Sequence, residues 1–188
     1  MSDELYSILH YNISNLVYTD ELDLSNLWIF DIDMVLRMDK FQEKIGKLDI
    51  RNNDIRSIAG IQNCKRLVYI NISHNNIRTF RSLPLLIEQL LIQDNLINKI
   101  ILRRYYEKLH YLDISNNNIN DLDFLKFCPN LRHLNINNNP IKNISPICKL
   151  KSLECLEVNE RKYHKECILE IKQGLKYQKN MKFLTTNG

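Results

Sequence analysis

One spacing recurs through this chain and constrains it more than any other feature. It reads Leu-x-x-Leu-x-Leu/Ile-x-x-Asn-x-Leu/Ile, and Leu109 to Ile119 (LHYLDISNNNI) carries it in full. Aligned on the asparagine, the first copies are Ile45, Leu48, Ile50, Asn53, Ile55 and then Leu67, Ile70, Ile72, Asn75, Ile77. Ile87, Leu90, Ile92, Asn95, Ile97 follow, then Leu109, Leu112, Ile114, Asn117, Ile119, and last Leu131, Leu134, Ile136, Asn139, Ile141. The asparagines stand 22, 20, 22 and 22 residues apart. Self-similarity at such a period is the signature of a stacked repeat architecture.

The template has a direct physical reading. Leu112 and Ile114 are two residues apart, so on a strand they share a face, and that face is the core. Tyr111, Asp113 and Ser115 point the other way. One repeat cannot bury its own apolar side, but a stack of parallel rungs about 4.8 Å apart can. The column Asn53, Asn75, Asn95, Asn117, Asn139 falls where the chain leaves the strand and turns. An inward amide both donates and accepts, and leaving such buried backbone groups unpaired costs about 1–3 kcal/mol each. The column is therefore read as structural rather than catalytic.

Taken in order, residues 3–17 have the spacing of an amphipathic helix, with Leu5, Ile8, Leu9, Leu16 and Val17 on one face. Residues 1–21 are read as an N-terminal helical cap and 22–152 as one degenerate and five regular repeats. Residues 153–188 are read as a last strand, a helix over Tyr163–Tyr177 and a final extended piece around Met181, Phe183 and Leu184. In the degenerate repeat Leu22 and Leu24 align with Leu48 and Ile50, and Leu27 takes the asparagine position. Met34 to Phe41 reads as a short helix against which Trp28 packs, with a contact anchor as the other reading of that tryptophan. The second halves of the repeats read as turns or single helical turns, and Ile100 to Lys108 as a helical turn. Gly174 is a weak point in the last helix, and Arg161 takes the asparagine position after the final strand.

Composition narrows the function. The chain has 188 residues, a single-domain length, and only four glycines, too few for a phosphate-cradling loop. Its wealth of Ile, Asn and Lys is the bias of an AT-rich genome, which weakens inferences from single surface asparagines. The start lacks a secretory leader, and no apolar run reaches the roughly 20 residues of a membrane span. The five cysteines are odd in number and form no CxxC pair, so they read as reduced thiols. An intracellular protein, cytoplasmic or nuclear, is expected, and the acceptor triplets at Asn12 and Asn71 are then silent. Residues 1–33 carry seven acidic side chains and no Lys or Arg, while Lys142 onward holds ten basic and five acidic. That basic end is either a solvated surface or a docking edge for an acidic partner or an RNA backbone.

The five repeats resemble leucine-rich repeat proteins of the 22-residue class, which includes the regulatory subunit of protein phosphatase 1 and the spliceosomal U-two snRNP A-prime protein. The tail Leu156 to Tyr163 resembles the cap those proteins share, although Glu160-Arg161 replaces the usual asparagine-proline pair. Glu21 to Leu24 is also similar to the A-prime protein. The resemblance implies an α/β leucine-rich repeat solenoid: a curved right-handed β-α superhelix with a parallel concave sheet and a helical cap at each end. It implies a non-enzymatic adaptor that binds another protein along the concave sheet.

The outward strand positions form three columns on that face. They are Lys47, Tyr69, Gln89, Tyr111, His133, Cys155; then Asp49, Asn71, Leu91, Asp113, Asn135, Glu157; then Arg51, Ser73, Gln93, Ser115, Asn137, Asn159. Tyr69, Leu91, Tyr111 and His133 are expected to lie close together, with Asp113 and Asn135 beside them, as the centre of a protein interface. The competing reading is a cross-strand stack that only steadies the sheet. Asp113 is expected to be solvent-exposed and its replacement inexpensive beside that of Leu112. His164 and Cys167, with Cys155, fall short of the four ligands zinc takes in a structural site, so no metal, cofactor or small-molecule substrate is expected. No nucleophile–base–orienter set is visible. RNA contact is expected to be indirect or weak. Alternatives to the adaptor are an RNA-processing component docking an RNA-binding protein and a pathogen or viral repeat protein engaging host proteins.

Overall fold

The computed structural model describes residues 11, 19–37, 39–159, 163, 165–175 and 182–184. The helix expected over 3–17 lies, Tyr11 apart, outside them, as do Arg161 and His164. The recurring strands are β1 (Glu21–Asp23), β2 (Lys47–Asp49), β3 (Tyr69–Asn71), β5 (Gln89–Leu91), β7 (Tyr111–Asp113), β8 (His133–Asn135) and β9 (Cys155–Glu157). With β10 (Lys182–Leu184) they form one eight-stranded sheet in the order β1-β2-β3-β5-β7-β8-β9-β10. Every pair is parallel and in the register the repeat demands, Leu22 opposite Leu48 and Leu112 opposite Leu134. The strands are three residues long because the turn begins two residues later.

The middle residue of each of the first seven strands is buried, as is the Leu, Ile or Val two positions on. These two apolar columns and the one contributed by Ile55, Ile77, Ile97, Ile119 and Ile141 run the length of a single core. The returning segments close its other side with Phe41, Ile61, Phe80, Leu83, Phe124 and Ile147. Burying a side chain of that size contributes roughly 1.5–3 kcal/mol.

The inward asparagines behave as the template requires. Asn75 Oδ1 accepts the N–H of Ile55, one repeat upstream, at 2.9 Å. Its Nδ2 donates to the carbonyls of Ile50 (2.9 Å), Ile72 (3.1 Å) and Ser73 (3.1 Å). Asn53 does the same for the degenerate repeat, where its Oδ1 accepts from the N–H groups of Leu27 and Ile29. Leu27 stands in the asparagine position of β1, the first strand of the sheet among the described residues.

The residue just before each inward asparagine has a positive φ: Asn52 (54°), His74 (54°), Asp94 (54°), Asn116 (53°) and Asn138 (55°), with Asn26 (61°) in the degenerate repeat. Asn, Asp and His are the side chains that tolerate this left-handed region best after glycine. The abundance of asparagine is thus partly conformational. These residues also form an exposed ladder, in which Asn52 Nδ2 donates to Asn26 Oδ1 at 3.0 Å and Asn138 Nδ2 to Asn116 Oδ1 at 2.6 Å.

The returning segments differ from expectation in three places. The single helix expected over Met34–Phe41 is two short ones, α1 (Asp33–Leu36) and α2 (Asp39–Lys44). Trp28 does not pack on them: it is 82% exposed, with φ at 57° turning its side chain outward. Ile100 to Lys108 is not a helical turn. Lys99–Ile100 is a strand, β6, paired with β4 (Thr79–Phe80) on the far side of the core. Length is not the cause, since this segment lies in the ordinary 22-residue repeat from Asn95 to Asn117. Tyr106 then drops into the core, where its hydroxyl accepts the N–H of Leu83 at 3.2 Å. Single 3-10 turns do occur at Ile61–Asn63, Asp123–Phe127 and Ser145–Lys149.

At the C-terminal end α3 spans Lys165–Leu175 and buries Ile168, Ile171 and Leu175. Gly174 is the point of closest approach rather than a flaw: a Cβ there would lie 3.1 Å from Cys148 Sγ. The last strand, β10, pairs with β9, Lys182 opposite Cys155. Among the described residues no helix is long and apolar enough to cross a membrane.

Candidate functional site

The parallel register places the three expected columns side by side on the polar face of the sheet. In the first, Lys47, Tyr69, Gln89, Tyr111, His133 and Cys155 are neighbours in that order. Tyr111 and His133 are stacked, with ring centroids 4.3 Å apart and planes 11° from parallel. Tyr69 is not part of that stack, because Gln89 stands between it and Tyr111. Both tyrosines are half-buried, and burial, followed by the nearby Asp49 for Tyr69 and Asp113 for Tyr111, pushes their phenols above the usual range. They are neutral hydrogen-bonding surfaces at physiological pH.

The second column has a structural role that the strand pattern alone does not reveal. Asp23 Oδ1 accepts the N–H of Ser25 (2.8 Å), Asp49 that of Arg51 (3.1 Å) and Asn71 that of Ser73 (3.1 Å). Asp113 accepts from Ser115 (2.9 Å) and Asn135 from Asn137 (3.1 Å). Each is an Asx turn, a side-chain oxygen satisfying the N–H two residues on as the strand ends. The signal was an Asp or Asn at the last strand position in repeat after repeat.

Asp113 is consequently not solvent-exposed. Only 9% of it is accessible, since the Ser115 hydroxyl donates to the same oxygen (2.7 Å) and Asn135 Nδ2 to the other (3.2 Å). Asn71 and Ser73 repeat the arrangement, hydroxyl to Oδ1 at 2.7 Å. Asn135 also donates to Glu157 Oε2 at 3.3 Å, so one amide spans two carboxylates. Burial raises the carboxyl of Asp49 above its ordinary value, partly offset by the Arg51 N–H and guanidinium.

Leu91 is the exception. It occupies the same position between Asn71 and Asp113 but has no oxygen to offer, so its repeat lacks the Asx turn, and its isobutyl group lies half-buried on an otherwise polar surface. Tyr69, Leu91, Tyr111 and His133 thus share the face, Tyr111 and His133 in contact, Leu91 one strand from Tyr111 and Tyr69 two. Glu157 completes the cluster, with Oε1 2.8 Å from His133 Nε2. It belongs to the second column, but its partner stands on the next strand and no spacing along the chain announces the pair.

A family model described as leucine-rich repeats (two copies) matches residues 107–149 and 129–163. The fold is similar to that of an internalin (inlF) from Listeria monocytogenes, at 20% identity and a TM-score of 0.66, over 89% of this chain and 47% of that one. The chain thus spans less than half of that internalin. It is also similar to the leucine-rich repeat domain of APL1B, at 18% identity and a TM-score of 0.53, over 85% of this chain and 69% of that one. None of the curated proteins matches the sequence. The recurring strand, inward asparagine and turn, the matched repeats and the shared parallel-sheet fold together show that this chain carries leucine-rich repeats and has their fold.

Proposed function

We propose that this chain is a non-enzymatic adaptor that holds another protein against the polar face of its sheet, the face expected to be concave. The observation that carries the reading is Leu91. From Asp23 to Asn135 the second column is otherwise Asp or Asn engaged in Asx turns, and Leu91 forgoes that bond to place an apolar group on the strand between those of Tyr69 and Tyr111, the latter stacked on His133. An aliphatic and aromatic cluster rimmed by polar groups is the composition of an interface centre. The 22-residue spacing and the helix and strand that follow β9 support placing the protein in the 22-residue class, with α3 and β10 closing the C-terminal end. Cys64 and Cys128, buried as free thiols, support an intracellular setting.

The test separates folding from binding. Leu91→Asn restores the Asx turn and is expected to preserve stability, yet it removes the apolar contact. Proteins recovered by affinity purification and mass spectrometry from the native source should be lost with Leu91→Asn and with Tyr69→Ser/Tyr111→Ser. An unchanged set from folded variants rejects the proposal.

A further inference from the structure

We propose that His133 Nε2, Cys155 Sγ and a carboxylate oxygen of Glu157 form a three-point site for a divalent transition metal of the zinc class, with water as the fourth ligand. A ring nitrogen of His133, Cys155 Sγ and a Glu157 carboxylate oxygen lie within 4.8 Å of one another on the polar face, and all three residues are half-buried. Their convergence is imposed by the sheet: His133 and Cys155 are opposite one another in register, and Glu157 is two residues beyond Cys155 on the same face.

Three further features suit a metal better than a plain ion pair. His133 Nε2 is shielded from solvent and stands 2.8 Å from Glu157 Oε1, yet without the alignment of a hydrogen bond. The shielded nitrogen thus meets the carboxylate without an aligned hydrogen bond, and a metal held between the two would satisfy both. Second, the supporting groups are present. Tyr111 stacks flat on the imidazole and fixes its plane, while Asn135 Nδ2 donates to Glu157 Oε2 and orients the carboxylate. Metal ligands are commonly held in place by such contacts. Third, the donor set of one sulfur, one nitrogen and one oxygen is that of zinc and its neighbours rather than of calcium or magnesium, which take oxygen ligands.

A tetrahedral zinc with Zn–N near 2.0 Å and Zn–S near 2.3 Å sets its donors roughly 3.3–3.6 Å apart. Seating the ion therefore requires the Glu157 oxygen, now 2.8 Å from His133 Nε2, to draw back, and donors as much as 4.8 Å apart to close in. On binding, the Cys155 thiol forms the metal–sulfur bond and releases its proton to water. Thiolate and carboxylate together balance the charge of the ion. These ligands differ from the His164 and Cys167 pair at helical spacing; Cys155 alone is common to both.

The experiment is a Co²⁺ titration of the full-length, reduced protein, followed by Zn²⁺ competition. One equivalent should produce a thiolate-to-cobalt charge-transfer band and tetrahedral d–d bands, both bleached by zinc. Cys155→Ser should abolish the charge-transfer band, and His133→Gln and Glu157→Gln should each weaken binding by more than about tenfold. Thermal melts supply a second readout: zinc should raise the Tm of the native chain, and not that of His133→Gln. A titration without the charge-transfer band, a band that survives Cys155→Ser, or equal zinc stabilisation of native and His133→Gln chains overturns the proposal.

Discussion

Asn117 Oδ1 accepts the backbone N–H of Ile97, 2.9 Å away in the preceding repeat. The same side chain donates to the carbonyls of Ile92 (2.9 Å), Ile114 (3.1 Å) and Ser115 (3.0 Å). Asn117→Ala strands all of these buried groups. It should lower unfolding free energy by at least about 1–3 kcal/mol, read from urea melts. Asn117→Asp should do no better, because a carboxylate cannot donate. The exposed neighbour Asn118 is the control, and its replacement by alanine should stay within about 0.5 kcal/mol of the native protein.

Leu112 and Asp113 are adjacent and face opposite sides of the sheet, but both are buried. Leu112→Ala should cost about 2–5 kcal/mol by opening a cavity. Asp113→Ala should cost about 1–3 kcal/mol, since Ser115 and Asn135 lose their acceptor. Asp113→Asn should cost less than Asp113→Ala, because Asn71 already performs the same task on Ser73. Chemical denaturation of the three variants tests the ordering, and an alanine effect at 113 below that of the asparagine contradicts it.

The left-handed position before each inward asparagine separates the effects of two small changes. At Asn116, φ is 53°. Asn116→Val should cost about 1–2 kcal/mol, as a β-branched side chain clashes with its own carbonyl there, whereas Asn116→Gly should stay within about 0.5 kcal/mol of native. Thermal melts of the pair decide it.

Burial pushes the thiols of Cys64 and Cys128 up to about 12, against an ordinary value near 9.0. Below pH 9 both folded and unfolded chains keep these protons, and stability is unaffected. Above it the unfolded thiols ionise first, so the unfolded state gains and stability falls as pH rises towards 12. The slope from Cys128 alone is roughly 1.4 kcal/mol per pH unit. A Cys64→Ala/Cys128→Ala variant should show a shallower alkaline loss in stability measured against pH. At pH 8, a disulfide reagent should label both thiols only after unfolding.

Much of the molecule is legible in the chain because the repeat states its own geometry. Leu112 and Ile114, two apart and followed three residues later by Asn117, specify which side is core, where the strand ends and what satisfies the turn. Register followed too: once the asparagines are aligned, Tyr111 must sit beside His133. Trp28 and Ile100 to Lys108 were misread because neither segment carries the template. A hydrophobic side chain off the template has no periodicity to say whether it points in or out.

The sequence by itself determined the stack, the apolar columns and the asparagine ladder, since these repeat and repetition is visible in one dimension. Only the tertiary structure decided what the polar face does. It buried Asp113 in an Asx turn, left Leu91 without one, and drew His133, Cys155 and Glu157 within 4.8 Å of one another. The Asx turn itself joins residues two apart, but the covering of Asp113 by Asn135 and the meeting of His133, Cys155 and Glu157 depend on rotamers and on contacts between neighbouring strands, each a repeat apart along the chain, and no local spacing encodes them.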